Sequence, residues 1–189
     1  MIAKLYQSNS EWGPGNSRYQ LNRSRRNFLR RICCQSVNSE QPVGAGTGID
    51  TLARAADRLV GEDDFERALK LYTQLVASEP EHLEALRGKS WCELKLDRFE
   101  AARMTLGELV QIDPGSYFPC LYRGLSYARE GNLELALQSW REYKNYQQIL
   151  IAREINLVLL ASDNKQPLLA REVAERVESA IERQDGKTP

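Results

Sequence analysis

The stretch 124-GLSYAREGNLELALQSW-140 carries the pattern that decides the fold. Its small residue Gly124 stands twelve positions before Ala136, and the large side chain of Trp140 follows four positions later. Between the two halves lies Gly131-Asn132, a pair that favours a turn. Apolar residues at i, i+4 and i+7 share one helical face, so we expect two short helices here, held close together by Gly124 and Ala136.

The same residue types recur at intervals of 34 positions, which makes this stretch one unit of a repeat. The recurring sets are the alanines Ala68, Ala102 and Ala136, the small residues Ala56, Ser90 and Gly124, and the large side chains Tyr72, Leu106 and Trp140. Glu79-Pro80 and Asp113-Pro114 fall between units, where proline ends a helix. One helix pair cannot bury such an apolar face alone, so we expect the units to stack into a solenoid.

These residues resemble the pattern of the tetratricopeptide repeat (TPR) family over residues 49–148. The resemblance implies an all-α, TPR-type solenoid of three helix pairs, at about 49–82, 83–116 and 117–150. The third unit fits best, at Gly124, Tyr127, Gly131, Ala136 and Trp140. The third unit departs from the family pattern at Gln148, where proline would end the second helix. This helix is therefore expected to continue beyond the unit.

Residues 149–189 are predicted to extend and cap the array. The apolar pattern continues without Gly or Pro, which predicts one unusually long helix from about Leu133 to about Ala161. A turn at Asn164–Pro167 follows, and then a final helix to about Gln184. Its apolar residues recur at strict i+4 spacing, at Leu169, Val173, Val177 and Ile181. A solenoid needs such a terminal cap. Alternatively, the stripe packs on a partner or on a second copy. Residues 185–189 are expected to fray.

Residues 1–48 are predicted to form a basic, largely irregular arm, because Gly, Ser, Asn and Gln are frequent and apolar periodicity is absent. Up to Gly46 there are seven basic and two acidic residues, a net charge of +5, which leaves 19 basic against 24 acidic residues, or −5, for the rest. A short helix is predicted from Ser24 to about Cys34, with Ser24 as its cap. The predicted anchors of the arm are Arg25, Arg26, Phe28, Leu29, Arg30 and Ile32.

The segment Ser24–Arg30 resembles the twin-arginine export signal, but Arg31–Asn38 supplies neither an apolar region nor a small-residue cleavage site. We therefore expect a cytoplasmic protein with no membrane span, and the alternative is a periplasmic protein exported through this motif. Similar arginine-rich segments near the start of some redox subunits suggest a redox assembly as context. Phosphate contact with nucleic acid is not expected, because the remainder of the chain is acidic.

The TPR resemblance also implies a concave groove lined by the first helix of each pair. The predicted partner-binding residues are Asp57, Arg87, Trp91, Leu94, Lys95, Phe118, Leu121, Leu125 and Arg129. In an array this short, the C-terminal helices could instead cover some of them. The carboxylate clamp with which some TPR proteins bind chaperones is not expected, since its positions hold Ala53, Asp57, Gly88, Phe118 and Tyr122.

No catalytic residue, metal site or cofactor is predicted. His82 is the one histidine and is expected to be an exposed helix-start residue, and the sequence has no phosphate-binding loop or paired-histidine motif. Cys92 and Cys120 fall within predicted helices and are expected to be free thiols.

The predicted function is a non-catalytic, bacterial-type adaptor, scaffold or assembly subunit of a multiprotein complex, which binds partner segments in the groove and through the arm. Two alternatives stay open at this point. One is the exported periplasmic protein. The other is an autoinhibited module, in which Phe28, Leu29 and Ile32 occupy the chain's own groove.

Overall fold

The computed structural model describes residues 48–186, and every regular element within this range is a helix. In chain order the helices are α1 (Gly48–Gly61), α2 (Phe65–Ser78), α3 (Leu83–Lys95), α4 (Phe99–Ile112), α5 (Phe118–Glu130), α6 (Leu133–Arg141), α7 (Ile149–Asp163) and α8 (Ala170–Gly186). The predicted arm and its anchors lie outside the described residues.

The first six helices form three pairs. Each odd-numbered helix packs against the next even-numbered one, and α2 and α4 also pack against the helix that begins the following pair. Helices joined by short turns and packed side by side run antiparallel, so the three pairs stack in sequence. The prediction of an all-α solenoid of three helix pairs is confirmed.

The repeated alanines explain why the helices of each pair approach so closely. Ala68, Ala102 and Ala136 are each the fourth residue of the second helix of their pair, and each is 0% exposed. Their equivalence confirms the 34-residue register. In the third pair the facing residue is Gly124, where a Cβ atom would overlap the indole of Trp140.

Side-chain caps and tight turns separate the helices. The carboxylate of Asp64 accepts a hydrogen bond from the Arg67 backbone N–H, and the side-chain oxygen of Asn132 accepts one from Leu135, both at 3.2 Å. Each satisfies a backbone donor that the first turn of a helix leaves unpaired. Gly131 ends α5 with φ of 94°, a left-handed conformation that glycine adopts without strain.

The prediction of one long helix from Leu133 to about Ala161 is wrong. Helix α6 ends at Arg141, and α7 begins only at Ile149. Polar side chains in the intervening segment bind the backbone or one another instead of continuing the helix: the Asn145 side-chain oxygen accepts a hydrogen bond from the Gln147 N–H at 3.1 Å, and the Tyr143 hydroxyl donates to the Gln148 side chain at 2.6 Å. Asparagine commonly diverts a backbone from helix in this way.

The break allows the C-terminal helices to fold back as a fourth pair. Helix α7 packs against α8, and α8 in turn packs against α5. Three members of the predicted apolar stripe, Val173, Val177 and Ile181, are buried in the common hydrophobic core. Its first member, Leu169, precedes α8 and is 64% exposed, so the predicted stripe is one residue too long. The stripe therefore caps this chain's own solenoid, as the first of the two interpretations predicted. Within residues 48–186, no helix is long and apolar enough to cross a membrane.

Candidate partner-binding groove

The candidate groove is the surface formed by the first helices of the three pairs, α1, α3 and α5. The structure distributes the nine predicted residues unequally between surface and core. Asp57, Lys95, Phe118 and Arg129 are partly exposed, whereas Arg87, Trp91, Leu94, Leu121 and Leu125 are buried. Whether the exposed members contact a partner remains a prediction.

Aromatic rings join α3 to α5, and we call Trp91, Phe118 and Tyr122 the aromatic end of the groove. The Trp91 and Tyr122 rings meet edge to face with centroids 5.6 Å apart, and Phe118 lies 4.3 Å from Tyr122. Tyr122 is not among the predicted partner-binding residues, although it lies one helical turn after Phe118 and so shares its face of α5.

Two cations lie over these rings. The Lys95 ammonium is 4.4 Å from the Trp91 ring centroid, and the Arg87 guanidinium is 5.8 Å from that of Phe118. Both distances fall within the range of a cation–π attraction. Arg87 also forms an ion pair with Asp113 at 3.5 Å. The positive charges of the central groove are thus already matched by rings and a carboxylate of this chain.

The opposite end is acidic, and we call Asp50, Asp57 and Glu84 the acidic end of the groove. Asp57 accepts a 2.6 Å hydrogen bond from the Tyr72 hydroxyl, which fixes a carboxylate of α1 against α2. Burial raises the pKa of the Glu84 carboxyl above its usual value; His82 and Arg87 offset part of this rise, while the negative charge of Asp57 adds to it. Two neighbouring carboxylates in partly desolvated surroundings favour the approach of a cation.

Three of the predicted groove residues belong to the core. Leu94, Leu121 and Leu125 are at most 3% exposed and lie in the same hydrophobic cluster as the apolar stripe of α8. Since α8 packs against α5, the third pair is covered by the chain's own C-terminal helix. In this packing the three leucines are not accessible to a partner.

Arg129 connects the groove to the cap. Its guanidinium donates to the Leu94 carbonyl at 3.0 Å and to the Asp97 carboxylate at 2.6 Å, and lies 3.6 Å from the Glu178 carboxylate of α8. The same group is 5.5 Å from the Phe99 ring centroid. This predicted partner-binding side chain therefore holds together the second pair, the third pair and α8.

His82, Cys92 and Cys120 have structural roles in the fold. His82 is half-buried, not exposed, and its Nδ1 accepts a hydrogen bond from the Ala85 N–H at 3.2 Å, so it caps α3. Cys92 and Cys120 are free and buried, and burial raises the pKa of Cys92 to about 12 and that of Cys120 to about 11. Among residues 48–186 no group of three or more His, Cys, Asp or Glu side chains is placed to hold a metal ion.

Gly88, one of the positions at which a carboxylate clamp would need a polar side chain, cannot carry one in this packing. A Cβ atom there would overlap the buried ring of Tyr72 from the preceding pair. The helices at this point approach so closely that only glycine fits without a shift of the ring.

Comparison with known proteins agrees with the repeat pattern. Residues 53–117, from the middle of α1 to the start of α5, match the sequence model of a family described as "Tetratricopeptide repeat". A protein of Oryza sativa subsp. japonica described as "Protein SGT1 homolog" is 25% identical over 133 residues, which are 70% of this chain and 32% of that protein. The chain therefore spans about a third of the relative's length. No solved structure matches.

The described part of the chain is an α-solenoid of helix pairs, and its first two pairs are similar to the tetratricopeptide repeat over residues 53–117. Such repeats are protein–protein interaction modules. The described part of the chain has the stacked pairs and the continuous surface of first helices that this role requires.

Proposed function

We propose that this protein is a non-catalytic adaptor, scaffold or assembly subunit of a multiprotein complex, and that it binds a segment of another protein in the groove of α1, α3 and α5. The observation that supports this most is that one end of the groove is aromatic and the other is acidic. A surface with an apolar part and an acidic part suits an amphipathic segment that carries basic residues.

The accessible anchor of this surface is Phe118. It is the partly exposed member of the aromatic end, and burying such a ring contributes about 1.5–3 kcal/mol to binding. Its ring packs on Tyr122, which in turn packs on Trp91. Phe118 is therefore held in place before a partner arrives, which lowers the ordering cost of association. Phe118 would therefore be the hot spot of the interface.

The experiment is co-purification from the native host with affinity-tagged full-length chains. Phe118→Ala should lose the partners that the wild type retains. Met104→Ala is the matched control: Met104 is 69% exposed on α4, a second helix of a pair, and its loss should leave the partners unchanged. Equal recovery of the same partners with both variants would place their binding site elsewhere.

The arm is proposed to contribute a second contact through its arginines. Reversing charge at two of its anchors, Arg25→Glu with Arg26→Glu, removes that contact without shortening the chain. If the arm reaches a partner, this variant recovers a smaller set of proteins than the wild type, and unchanged recovery would restrict binding to the groove.

We further propose that the protein acts in the cytoplasm, where thiols stay reduced. Cell fractionation, with mass spectrometry of the N-terminus of the mature chain, tests this. An intact Met1 or Ile2 end in the cytosolic fraction is the expected result. A shortened chain in the periplasm would instead support export through the twin-arginine-like segment.

A further inference from the structure

The two ends of the groove specify the chemistry of what it binds. The acidic end offers carboxylates from α1 and from the start of α3, and the aromatic end offers rings from α3 and α5. An occupant that matches both must place basic and apolar side chains about one or two helical turns apart. Two of the three bases that line the groove are paired with carboxylates of this chain, Arg87 with Asp113 and Arg129 with Asp97. The third, Lys95, lies over the Trp91 ring.

Residues 24–34 of this same chain have that chemistry. If they form the helix predicted from Ser24, then Arg25, Phe28, Leu29 and Ile32 share one face at i, i+3, i+4 and i+7. Seven residues of helix rise about 10 Å, which is the rise from Arg25 to Ile32. The same seven positions separate Glu84 of the acidic end from Trp91 of the aromatic end on α3.

The connection is long enough for these residues to reach the groove. Fourteen positions separate Cys34 from Gly48, where α1 begins. An extended chain covers about 3.3–3.6 Å per residue, so these positions span up to about 45–50 Å. Crossing from α1 to α5 takes two interhelical steps, or roughly 16–20 Å. Gly44, Gly46 and Gly48 in the connection also permit a reversal of chain direction.

Charge favours the same placement. The residues up to Gly46 carry +5, and the rest of the chain carries −5, as counted above. The point where the arm joins the described helices is itself part of the acidic end, because Asp50 lies in the first turn of α1. A basic segment tethered at that point is held beside carboxylates of the opposite sign.

The geometry points to residues 24–34 as the occupant of the groove in cis, with their arginines on the acidic end and Phe28, Leu29 and Ile32 on the aromatic end. This inference rests on the proposed function, because it names the class of segment that the groove binds. A partner then enters the groove by displacing the arm. Only a partner that binds the groove tightly enough to compete with the arm can do so.

The connection between residues 24–34 and α1 determines how strongly the arm competes with a free peptide for the groove. A short flexible connection holds its ligand at an effective concentration on the order of 1 mM. If the free segment binds an empty groove with a Kd of about 10 µM, competition from the tethered copy weakens its apparent affinity about 100-fold.

The test adds a fluorescent synthetic peptide of residues 22–35 to three full-length chains and measures its anisotropy. Phe28→Asp removes the central apolar anchor of the tethered copy and should bind the peptide about 100-fold more tightly than the wild type. Tyr6→Asp, the matched control elsewhere in the arm, should bind as weakly as the wild type. Adding Asp50→Lys to the Phe28→Asp chain should weaken binding several-fold, most at low salt.

Equal affinity of the peptide for the wild type and for Phe28→Asp overturns the inference, and so does an absence of binding to both. If the weak binding of the peptide to the wild type depends on protein concentration, and sedimentation shows dimers, the arm lies in the groove of a second copy. That result would overturn the cis assignment. The proposed function is judged separately: if the peptide binds no chain while Phe118→Ala still loses its partners, the inference fails alone.

Discussion

Gly124 of α5 lies directly against the indole of Trp140 in α6, so that a Cβ atom at this position would overlap the ring. The indole N–H donates a 3.0 Å hydrogen bond to the carbonyl of Leu121, and the whole side chain is buried. The missing side chain at one residue thus makes the space that the largest side chain of the third pair fills. The Gly88 backbone receives the Tyr72 ring in the same manner at the junction between the first and second pairs.

Replacement of Gly124 by alanine should destabilise the fold. Alanine favours helix over glycine by about 1 kcal/mol, but overpacking against a rigid buried ring costs typically about 1–3 kcal/mol. Gly107→Ala is the matched control, since Gly107 is an exposed residue within α4 and nothing lies within 4 Å of its added Cβ. Urea denaturation should show a lower free energy of unfolding for Gly124→Ala and a gain of roughly 0.5–1 kcal/mol for Gly107→Ala. A gain in both would contradict the close packing.

Removal of the Arg129 guanidinium should loosen the cap. Arg129→Met keeps an apolar stem but loses the contacts with Leu94, Asp97 and Glu178, and hydrogen bonds to charged groups are worth about 1.5–3 kcal/mol where they are buried. Partial exposure reduces this, so we expect a loss of about 1–2 kcal/mol. Hydrogen exchange should also quicken in α8 more than in α1.

Arg141→Met is the control for Arg129. Its 2.8 Å ion pair with Asp163 joins two residues that are both more than half exposed, and such pairs contribute at most about 1 kcal/mol. The two variants should therefore differ in stability and in the exchange of α8. A similar loss of stability in both variants would mean that the contacts of Arg129 contribute no more than an exposed ion pair.

The helix pairs could be predicted from the sequence because their packing repeats. Ala68, Ala102 and Ala136 recur at intervals of 34 residues, and each is fully buried at the same position of its helix pair. The break at 142–148 does not repeat, and it depends on two side-chain hydrogen bonds, from Tyr143 and to Asn145, that no periodic pattern encodes. An unbroken apolar period therefore predicted one helix where the chain forms two.

The groove was only partly predictable for a related reason. Repeat position identified which residues lie on the first helices, and Asp57, Lys95 and Phe118 are indeed partly exposed there. Leu121 and Leu125 lie in a core that they share with α8, which returns to α5 from about fifty residues further along the chain. Such a long-range contact is set by the fold of the whole C-terminal part and not by the spacing within one repeat.

Glu93 should make stability depend on pH. This carboxylate is buried in α3, accepts a 2.9 Å hydrogen bond from the Thr105 hydroxyl and lies 3.9 Å from Lys89. Burial raises its pKa above 4.5, although the Thr105 hydrogen bond and Lys89 offset part of the rise. An acid with a higher pKa in the folded state favours folding when protonated, so its contribution is present below pH 4.5 and is lost as pH rises through the folded pKa.

Glu93→Gln removes that dependence and keeps an acceptor for Thr105. It should therefore be more stable than the wild type at pH 7, and the difference should shrink toward pH 4. Thermal unfolding across this range provides the measurement, with the exposed Glu66→Gln as a control that shows no such trend. Lower stability of Glu93→Gln at pH 7 would show that the pair with Lys89 outweighs the cost of burial.

Cys92 and Cys120 should resist alkylation while the solenoid is folded. Because the thiolate is the reactive form, a pKa of about 12 or about 11 leaves roughly one thiol in ten thousand or one in a thousand reactive at pH 8. Burial in α3 and α5 also blocks access to both sulfur atoms. Iodoacetamide followed by peptide mass spectrometry should label both at least about 100-fold more slowly in buffer than in denaturant. Cys120 lies in α5, against which α8 packs, so rapid labelling of Cys120 alone would mean that the C-terminal pair opens readily and that Leu121 and Leu125 become accessible to a partner.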